Sequence, residues 1–337
     1  MPAVAVEVVE GVILASDISG FTQLALSMRE TPDAIEELSR ILNGSFAGLI
    51  DVIAEAGGDV LGFAGDALMA YWPSDAEPAV SAGWAALEAQ CRLAQGDHRI
   101  KLRIGLGVGT IAMATVGGEG DRWFLTLGGA APSEAAALQS RAQLGQVAVS
   151  EGFVDLAGSS SETLDEEGVH RLLAVHGSPP RASASFANGG ELDEAMLAAL
   201  RPYVPVSVVD RLLAGHDAFL SELRTVTVAL LATPGLNPSK LTELQDVAAA
   251  VQRSAYAYGG VVDPGVDEKG ITFRIAFGVP PFAHEDDVDR ALSAVRAIDR
   301  ELTSMGVDHG IGVKTGQAFC GTLGNDARHE YLSLIHI

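Results

Sequence analysis

Asp17-Ile18-Ser19-Gly20-Phe21-Thr22 lies where a predicted strand, residues 11–17, leads towards a predicted helix, residues 32–56. The strand is predicted from a β-branched run, and the helix from apolar residues repeated at helical spacing. Gly57-Gly58 then ends the helix. An acidic residue therefore closes a strand just before the chain turns.

A predicted β-hairpin follows this helix. Two apolar runs, residues 60–63 and 67–72, are separated by the short turn Ala64-Gly65-Asp66. A second helix over residues 75–95 and a strand over residues 100–110 complete the order β-α-β-β-α-β. This order predicts a ferredoxin-like domain of the α+β class, with Asp66 at the tip of its hairpin.

The same order returns in the second half of the chain. It comprises a strand, a helix, a hairpin that ends at residue 277 and a further helix, and the strand and the two helices are predicted over residues 226–231, 238–258 and 286–305. Ile104-Gly105-Leu106-Gly107-Val108-Gly109 also resembles Ile311-Gly312-Val313-Lys314-Thr315-Gly316. We therefore predict two ferredoxin-like domains in tandem that form a pseudo-symmetric intramolecular dimer.

The predicted domain limits follow from this repeat. The first domain spans residues 1–157, a linker spans 158–219, and the second domain spans 220–337. Residues 158–190 are rich in Ser, Gly, Pro and Ala, which is typical of a linker, although residues 169–175 predict a short strand within it. Residues 191–214 predict a helical segment.

Composition narrows the possible partners. Acidic residues outnumber basic ones 44 to 22, so the field of the chain repels nucleic acid and anionic membrane surfaces. No apolar run reaches the roughly 18 residues of a membrane span, the N-terminus has no basic signal-like region, and the two cysteines form no CxxC pattern. We expect a cytoplasmic protein whose anionic ligands would need local positive charge, most simply from bound metal ions.

Asp17 and Asp66 together predict a metal site. An aspartate at a strand end is more often a cap, and one in a hairpin is more often a turn former. In a ferredoxin-like sheet, however, the first strand and the hairpin are neighbours, so these two carboxylates can face each other. Mg²⁺ binds one or two carboxylates together with phosphates and waters, so this pair can hold two such ions.

These motifs resemble the class III nucleotidyl cyclases, in particular the tandem-domain soluble adenylyl cyclases. The resemblance covers nearly the whole chain and includes Phe63-Ala64-Gly65-Asp66-Ala67-Leu68, Cys320-Gly321-Thr322-Leu323-Gly324-Asn325 and Arg328-His329-Glu330-Tyr331. It implies that ATP binds between the two copies and is converted to cyclic AMP and pyrophosphate.

The resemblance also implies roles for individual residues. Asp17, Asp66 and the carbonyl of Ile18 would hold two Mg²⁺ or Mn²⁺ ions, and Ser19, Gly20, Phe21 and Thr22 would bind the phosphates. This part of the second copy has no carboxylate opposite Asp17, so the metal site should be single. Lys269, in the second hairpin, would read the purine ring and favours ATP over GTP.

The resembled family also has an Asn and an Arg, three residues apart, after the strand that contains Glu330-Tyr331. The chain ends at Ile337 before that place, and its last residues depart from the family pattern. The sequence thus predicts an incomplete second domain, regulatory domains beyond it, and weak or no cyclase activity for these 337 residues, since each such group contributes on the order of 100-fold.

Other functions fit the sequence less well. A nucleotide-sensing module without turnover and a guanylate cyclase stay open as alternatives. A diguanylate cyclase is disfavoured because the hairpin lacks a Gly-Gly-Asp/Glu-Glu-Phe motif, and the loop at residues 117–121 lacks the Lys and Ser/Thr of a P-loop. The scattered histidines do not predict a zinc site.

Overall fold

A computed structural model describes residues 3–20, 34–64, 67–74, 77–95, 100–166, 168–177, 194–204, 222–238, 240–267, 270–279, 282–325 and 328–335. The elements of the first copy and the segment after it are β1 (Ala5–Ser19), α1 (Ala34–Glu55), β2 (Asp59–Ala64), β3 (Ala67–Pro73), α2 (Pro78–Ala94), β4 (Lys101–Gly117), β5 (Trp123–Gly128), α3 (Ala130–Arg141), β6 (Val147–Val149), α4 (Glu151–Ala157), β7 (Ser161–Glu166), β8 (Val169–Val175) and α5 (Glu194–Leu200). Those of the second copy are β9 (Glu222–Pro234), α6 (Leu241–Ala257), β10 (Val261–Asp267), β11 (Gly270–Phe277), α7 (Asp287–Met305), β12 (Gly310–Gly324) and β13 (His329–Ile335).

The two sheets share one strand order. The first runs β2-β3-β1-β4-β6-β8-β7, with β5 also paired to β4, and the second runs β10-β11-β9-β12-β13. In each copy the first strand lies between the hairpin and the fourth strand, and these pairs are antiparallel. The predicted tandem of ferredoxin-like domains is confirmed.

The central strands are longer than predicted. β1 and β4 pair continuously from Ala5 opposite Thr115 to Ser19 opposite Lys101. The start of β1 alternates valine with glutamate or a small residue, which suits a strand that is solvated on one or both faces rather than buried. Prediction from β-branched density alone therefore placed the strand start too late.

The predicted linker includes a hairpin of the first sheet. The strand predicted at residues 169–175 is present as β8, and it pairs with β7 on one side and with β6 on the other. The helical segment predicted at residues 191–214 is described only in part, as α5 followed by a short 3₁₀ turn.

Each copy contributes side chains to the core of the other. Phe319 and Leu323 of β12 are buried with the first copy's core, next to residues of α1. Ala114 and Val116 of β4 are buried with the second copy's core, next to residues of α6. The two copies therefore form a reciprocal, largely apolar intramolecular interface. Of the helices in the described ranges, none combines the length and hydropathy that a membrane span needs.

Candidate active site

Asp17 occupies the end of β1, between two paired strands. Its backbone is in register with Ala67 of β3 on one side and with Arg103 of β4 on the other. Ser19, two residues further on, donates a hydrogen bond from Oγ to Asp17 Oδ2 at 3.1 Å. Asp17 thus lies near the end of a central strand, and its carboxylate accepts a hydrogen bond from the same strand.

The environment of Asp17 opposes its charge. Burial raises the pKa of the Asp17 carboxyl above its ordinary value, while the Ser19 hydrogen bond and the charge of Arg103 partly offset this effect. A carboxylate that loses hydration without full compensation gains from a nearby cation. Asp17 is therefore suited to hold a metal ion more than to act as an ordinary surface acid.

Arg103 is a candidate that the sequence analysis missed. It lies directly opposite Asp17, and its Nε is buried with no hydrogen-bond partner among the described residues. Lys101, two residues earlier on the same strand, lies opposite Ser19. Alternate residues of a strand share a face, and so do residues directly opposite each other on paired strands. The side chains of Arg103, Lys101, Asp17 and Ser19 therefore project to the same side of the sheet. They supply the local positive charge expected for an anionic ligand in this acidic chain.

Asp66 itself lies outside the described residues, but its immediate surroundings are defined. Ala64 and Ala67 pair with each other across the hairpin, and Ala67 pairs with Asp17. The described residues that flank positions 65 and 66 therefore lie beside Asp17. The metal role of Asp66 stays a prediction.

The other predicted site residues are described in part. Ile18 is 2% exposed, so its side chain belongs to the core and only its backbone is a candidate ligand. Gly20 has a φ of 102°, a left-handed backbone conformation that residues other than glycine rarely adopt. Phe21, Thr22 and Lys269 lie outside the described residues, and their roles stay predictions.

The donor set fits a hard cation. A carboxylate and a hydroxyl are oxygen ligands of the kind that Mg²⁺ and Mn²⁺ accept, with further positions left for phosphate oxygens and water. Within the described ranges, no three His, Cys, Asp or Glu side chains are grouped as a metal site. A site for Mg²⁺ thus depends on Asp17, on the turn at residues 65–66 and on the ligand itself.

The second copy differs at the matching position. Ala232 of β9 is in register with Gly310 of β12 and with Thr272 of β11. Ala232 and Gly310 have no charged side chain. The pair formed by Asp17 and Arg103 therefore has no counterpart at this register position. The single metal site expected from the sequence stays a prediction.

A cleft of about 160 Å³ lies elsewhere between the copies. It is lined by residues at the start of α3 and by the loop after β9, including Ser133, Asn237 and Pro238. Gly129, which also lines the cleft, lies next to Thr110 of β4. Thr110 is seven residues along this strand from Arg103, so these two residues are roughly 23 Å apart. This cleft is at the other end of the interface from Asp17.

The fold and the sequence are similar to those of the class III nucleotidyl cyclases. No family model matches the chain. The curated relatives include adenylate cyclase type 10 of Oryctolagus cuniculus, which is 26% identical over 97% of this chain, and that of Homo sapiens, which is 25% identical over 96% of it. The chain spans 23% of the length of each.

One solved structure resembles both copies together. It is described as a class III adenylyl cyclase-like ATP-binding protein from Pseudomonas aeruginosa, and it matches 97% of this chain and 79% of its own with a TM-score of 0.60. At 13% sequence identity this similarity concerns the fold alone. It supports the arrangement of two cyclase-like domains in one chain.

Proposed function

We propose that this chain is the tandem catalytic region of an adenylate cyclase, which converts ATP to 3′,5′-cyclic AMP and pyrophosphate in cyclic-nucleotide signalling. The observation that carries the proposal is the placement of Asp17 opposite Arg103 and beside Ala67, at the end of β1. The names of the curated relatives agree with this activity. The proposed substrate is held between the two copies.

The proposed reaction is an intramolecular displacement at phosphorus. The 3′-hydroxyl oxygen of ATP forms a bond to the α-phosphorus, the bond from that phosphorus to the bridging oxygen of the β-phosphate breaks, and the hydroxyl proton leaves to solvent. Two Mg²⁺ or Mn²⁺ ions, when bound, would stabilise the attacking oxygen and the charge of the leaving pyrophosphate.

The residues of the chain contribute mainly orientation and charge. Asp17, Asp66 and the Ile18 carbonyl would hold the metal ions, and the backbone from Ser19 to Thr22 would bind phosphate oxygens, with Gly20 in the conformation that allows close approach. Arg103 and Lys101 would attract and orient the triphosphate. Lys269 would contact the purine ring and favour adenine over guanine.

The test combines nucleotide binding with turnover. Wild type, Asp17→Ala and Asp66→Ala are incubated with Mn²⁺ and ATP or GTP, and cyclic nucleotide is quantified beside the binding of a non-hydrolysable ATP analogue. We expect Mn²⁺-dependent binding of the ATP analogue that both substitutions abolish, and cyclic AMP as the product. Binding or turnover that survives both substitutions would refute the proposed site.

The same experiment separates the alternatives. Analogue binding that depends on Asp17 without any cyclic nucleotide is expected both of a nucleotide-sensing module and of a cyclase chain without the predicted Asn and Arg, so formation of cyclic nucleotide is the result that excludes the sensing module. A product formed from GTP in preference to ATP would identify a guanylate cyclase and would contradict the role proposed for Lys269. The weak or absent turnover expected from the sequence is tested by the amount of cyclic AMP formed.

A further inference from the structure

β2 is the outer strand of the first sheet. It pairs only with β3 among the described strands, so some of its backbone carbonyls face away from the sheet. The pairing also contains an irregularity at Leu61, where the register shifts between Val60 and Gly62. An outer strand with a bulge is easily displaced unless its free backbone groups find partners.

One of these carbonyls is contacted by an arginine from the second copy. Arg274 of β11 donates from Nη2 to the carbonyl oxygen of Phe63 at 3.5 Å, and the same guanidinium is paired with Asp263 on the neighbouring strand β10. The Arg274 side chain is 26% exposed. The guanidinium is therefore held in place by its own copy and directed at the first.

A second arginine contacts the bulge. Arg328 donates from Nη2 to the carbonyl oxygen of Leu61 at 3.2 Å. Its backbone is fixed by a turn in which Asn325 N donates to Arg328 O and Arg328 N donates to Asn325 Oδ1, both at 2.9 Å. Asn325 also donates to Asp51 of α1 at 2.7 Å, so this turn is bonded to the first copy at two places.

Phe63 shows why this contact matters for the site. Its ring is 4% exposed and packs edge-on against Phe46 of α1, with 5.4 Å between ring centroids. The side chain is thus anchored inside the first copy while the carbonyl is held by the second. The next residue, Ala64, pairs with Ala67, and Ala67 pairs with Asp17. A displacement of Phe63 would therefore move the backbone beside Asp17.

We infer that Arg274 and Arg328 are positioning residues, through which the second copy fixes strand β2 and with it the proposed metal site of the first copy. This inference rests on the proposed function. Neither arginine needs to touch substrate or metal in this role, because each acts through a backbone carbonyl of β2. The interface thereby makes the metal site of one copy depend on the presence of the other.

The test measures metal affinity and strand stability rather than turnover. Mn²⁺ binding is measured by electron paramagnetic resonance, with a non-hydrolysable ATP analogue present, for wild type, Asp17→Asn, Arg274→Ala, Arg274→Lys, Arg328→Ala and Arg274→Ala/Arg328→Ala. Hydrogen exchange of residues 59–64 is measured without metal in the same set. Circular dichroism checks that each variant is folded.

Arg253→Ala is the matched control. Arg253 also belongs to the second copy and also bridges the copies, since it is paired with Glu301 of its own copy and with Glu119 of the first. In the described part of the chain, its side chain forms these two pairs and no hydrogen bond to β2. Its substitution therefore removes an equivalent interface contact without releasing that strand.

We expect Arg274→Ala to weaken Mn²⁺ binding about three- to tenfold, as for loss of one ordinary hydrogen bond, and the double variant to weaken it further. Hydrogen exchange in residues 59–64 should become faster in the same order. Compared with Arg274→Ala, Arg274→Lys should restore part of the Mn²⁺ affinity and part of the protection from exchange. Arg253→Ala should change neither the Mn²⁺ affinity nor the exchange. Unchanged Mn²⁺ binding and exchange in the folded double variant would overturn the inference, and so would an equal loss in Arg253→Ala. If Asp17→Asn binds Mn²⁺ like wild type, the proposed function itself fails.

Discussion

The same glycine has different surroundings in the two copies. Gly105 of β4 is covered by α3, and a Cβ placed there would lie 2.1 Å from the carbonyl oxygen of Ala135. Gly312 of β12 holds the matching place in the second copy, and a Cβ there would meet nothing within 4 Å among the described residues. Among the described residues, the two sheets thus share this glycine, and the face of the first sheet at Gly105 is covered by α3.

The functional residues differ in the same way. The first copy has Asp17 opposite Arg103, and the second has Ala232 opposite Gly310 at that register. The two copies thus share the strand order, whereas charged side chains are present at this register position in the first copy. The comparison teaches that strand order alone does not identify the site; the side chains at one register position do.

The largest expected effect concerns the covered glycine. Gly105→Ala should lower the free energy of unfolding by about 3 kcal/mol, because the added methyl collides with the backbone of α3, which cannot move without breaking its packing. Gly312→Ala should change it by less than about 0.5 kcal/mol, since the site is open. Thermal unfolding monitored by circular dichroism measures both, and equal destabilisation by the two substitutions would show that the copies are covered alike.

The next effect converts the first copy to the second at the proposed metal position. Asp17→Ala should weaken Mn²⁺ binding by on the order of 100-fold, about 2.7 kcal/mol, since it removes a direct ligand. Because burial raises the pKa of Asp17, and thus disfavours its charge, the thermal midpoint should be unchanged or higher. A fall in both affinity and midpoint would instead indicate a structural role.

Asp59→Ala is the control for this substitution. Asp59 is an exposed carboxylate at the start of β2, in the same copy and with the same charge. Its loss should leave Mn²⁺ affinity within about twofold of wild type, which corresponds to less than 0.5 kcal/mol. A 100-fold loss in this variant as well would attribute the Asp17 effect to net charge.

The architecture could be predicted from the sequence because its signals are local. Gly57-Gly58 and Gly259-Gly260 each end a helix before a hairpin, and apolar spacing distinguishes the helices from the strands. The adjacency of the first strand and the hairpin, on which the proposed metal site depends, could be predicted for the same reason. Repetition of the pattern then supplied the second domain.

Other features depend on partners far along the chain. Arg103 is 86 residues from Asp17, and only the antiparallel register of β1 and β4 shows that the two are opposite. The hairpin of β7 and β8 was predicted mainly as linker because its flanks are rich in Ser and Gly, but β8 pairs with the short strand β6 and so joins the first sheet. Local composition contains no signal for either pairing.

A smaller effect distinguishes two turns at the interface between the copies. One is formed by residues 118–122 of the first copy, and the other is closed by Asn325 and Arg328 of the second. The turn of the first copy is bonded to Gln252 of α6, which accepts from Glu119 N at 3.2 Å and donates to Arg122 O at 2.9 Å while fully buried. The turn of the second copy is bonded through Asn325, which donates to the exposed Asp51. We expect Gln252→Ala to cost about 2 kcal/mol because two backbone groups lose their partner, and Asn325→Ala to cost less than about 1 kcal/mol. Thermal midpoints of the two variants test this, and a larger loss for Asn325→Ala would reverse the ranking of the turns.

The smallest effect is a pH dependence caused by Tyr256 of α6, which accepts a hydrogen bond from Gln252. Burial raises the pKa of Tyr256 to about 12, although its hydrogen bond from Gln252 and the charge of Arg122 oppose the rise. The folded state therefore retains this proton at pH values where the unfolded chain, with an ordinary tyrosine pKa near 10, has lost it. Stability contributed by this group is complete below pH 10 and is lost as the pH rises towards 12, by at most about 2 kcal/mol. Chemical denaturation between pH 9 and 11.5 should show a steeper fall for wild type than for Tyr256→Phe, and parallel curves would mean that the phenol titrates alike in both states.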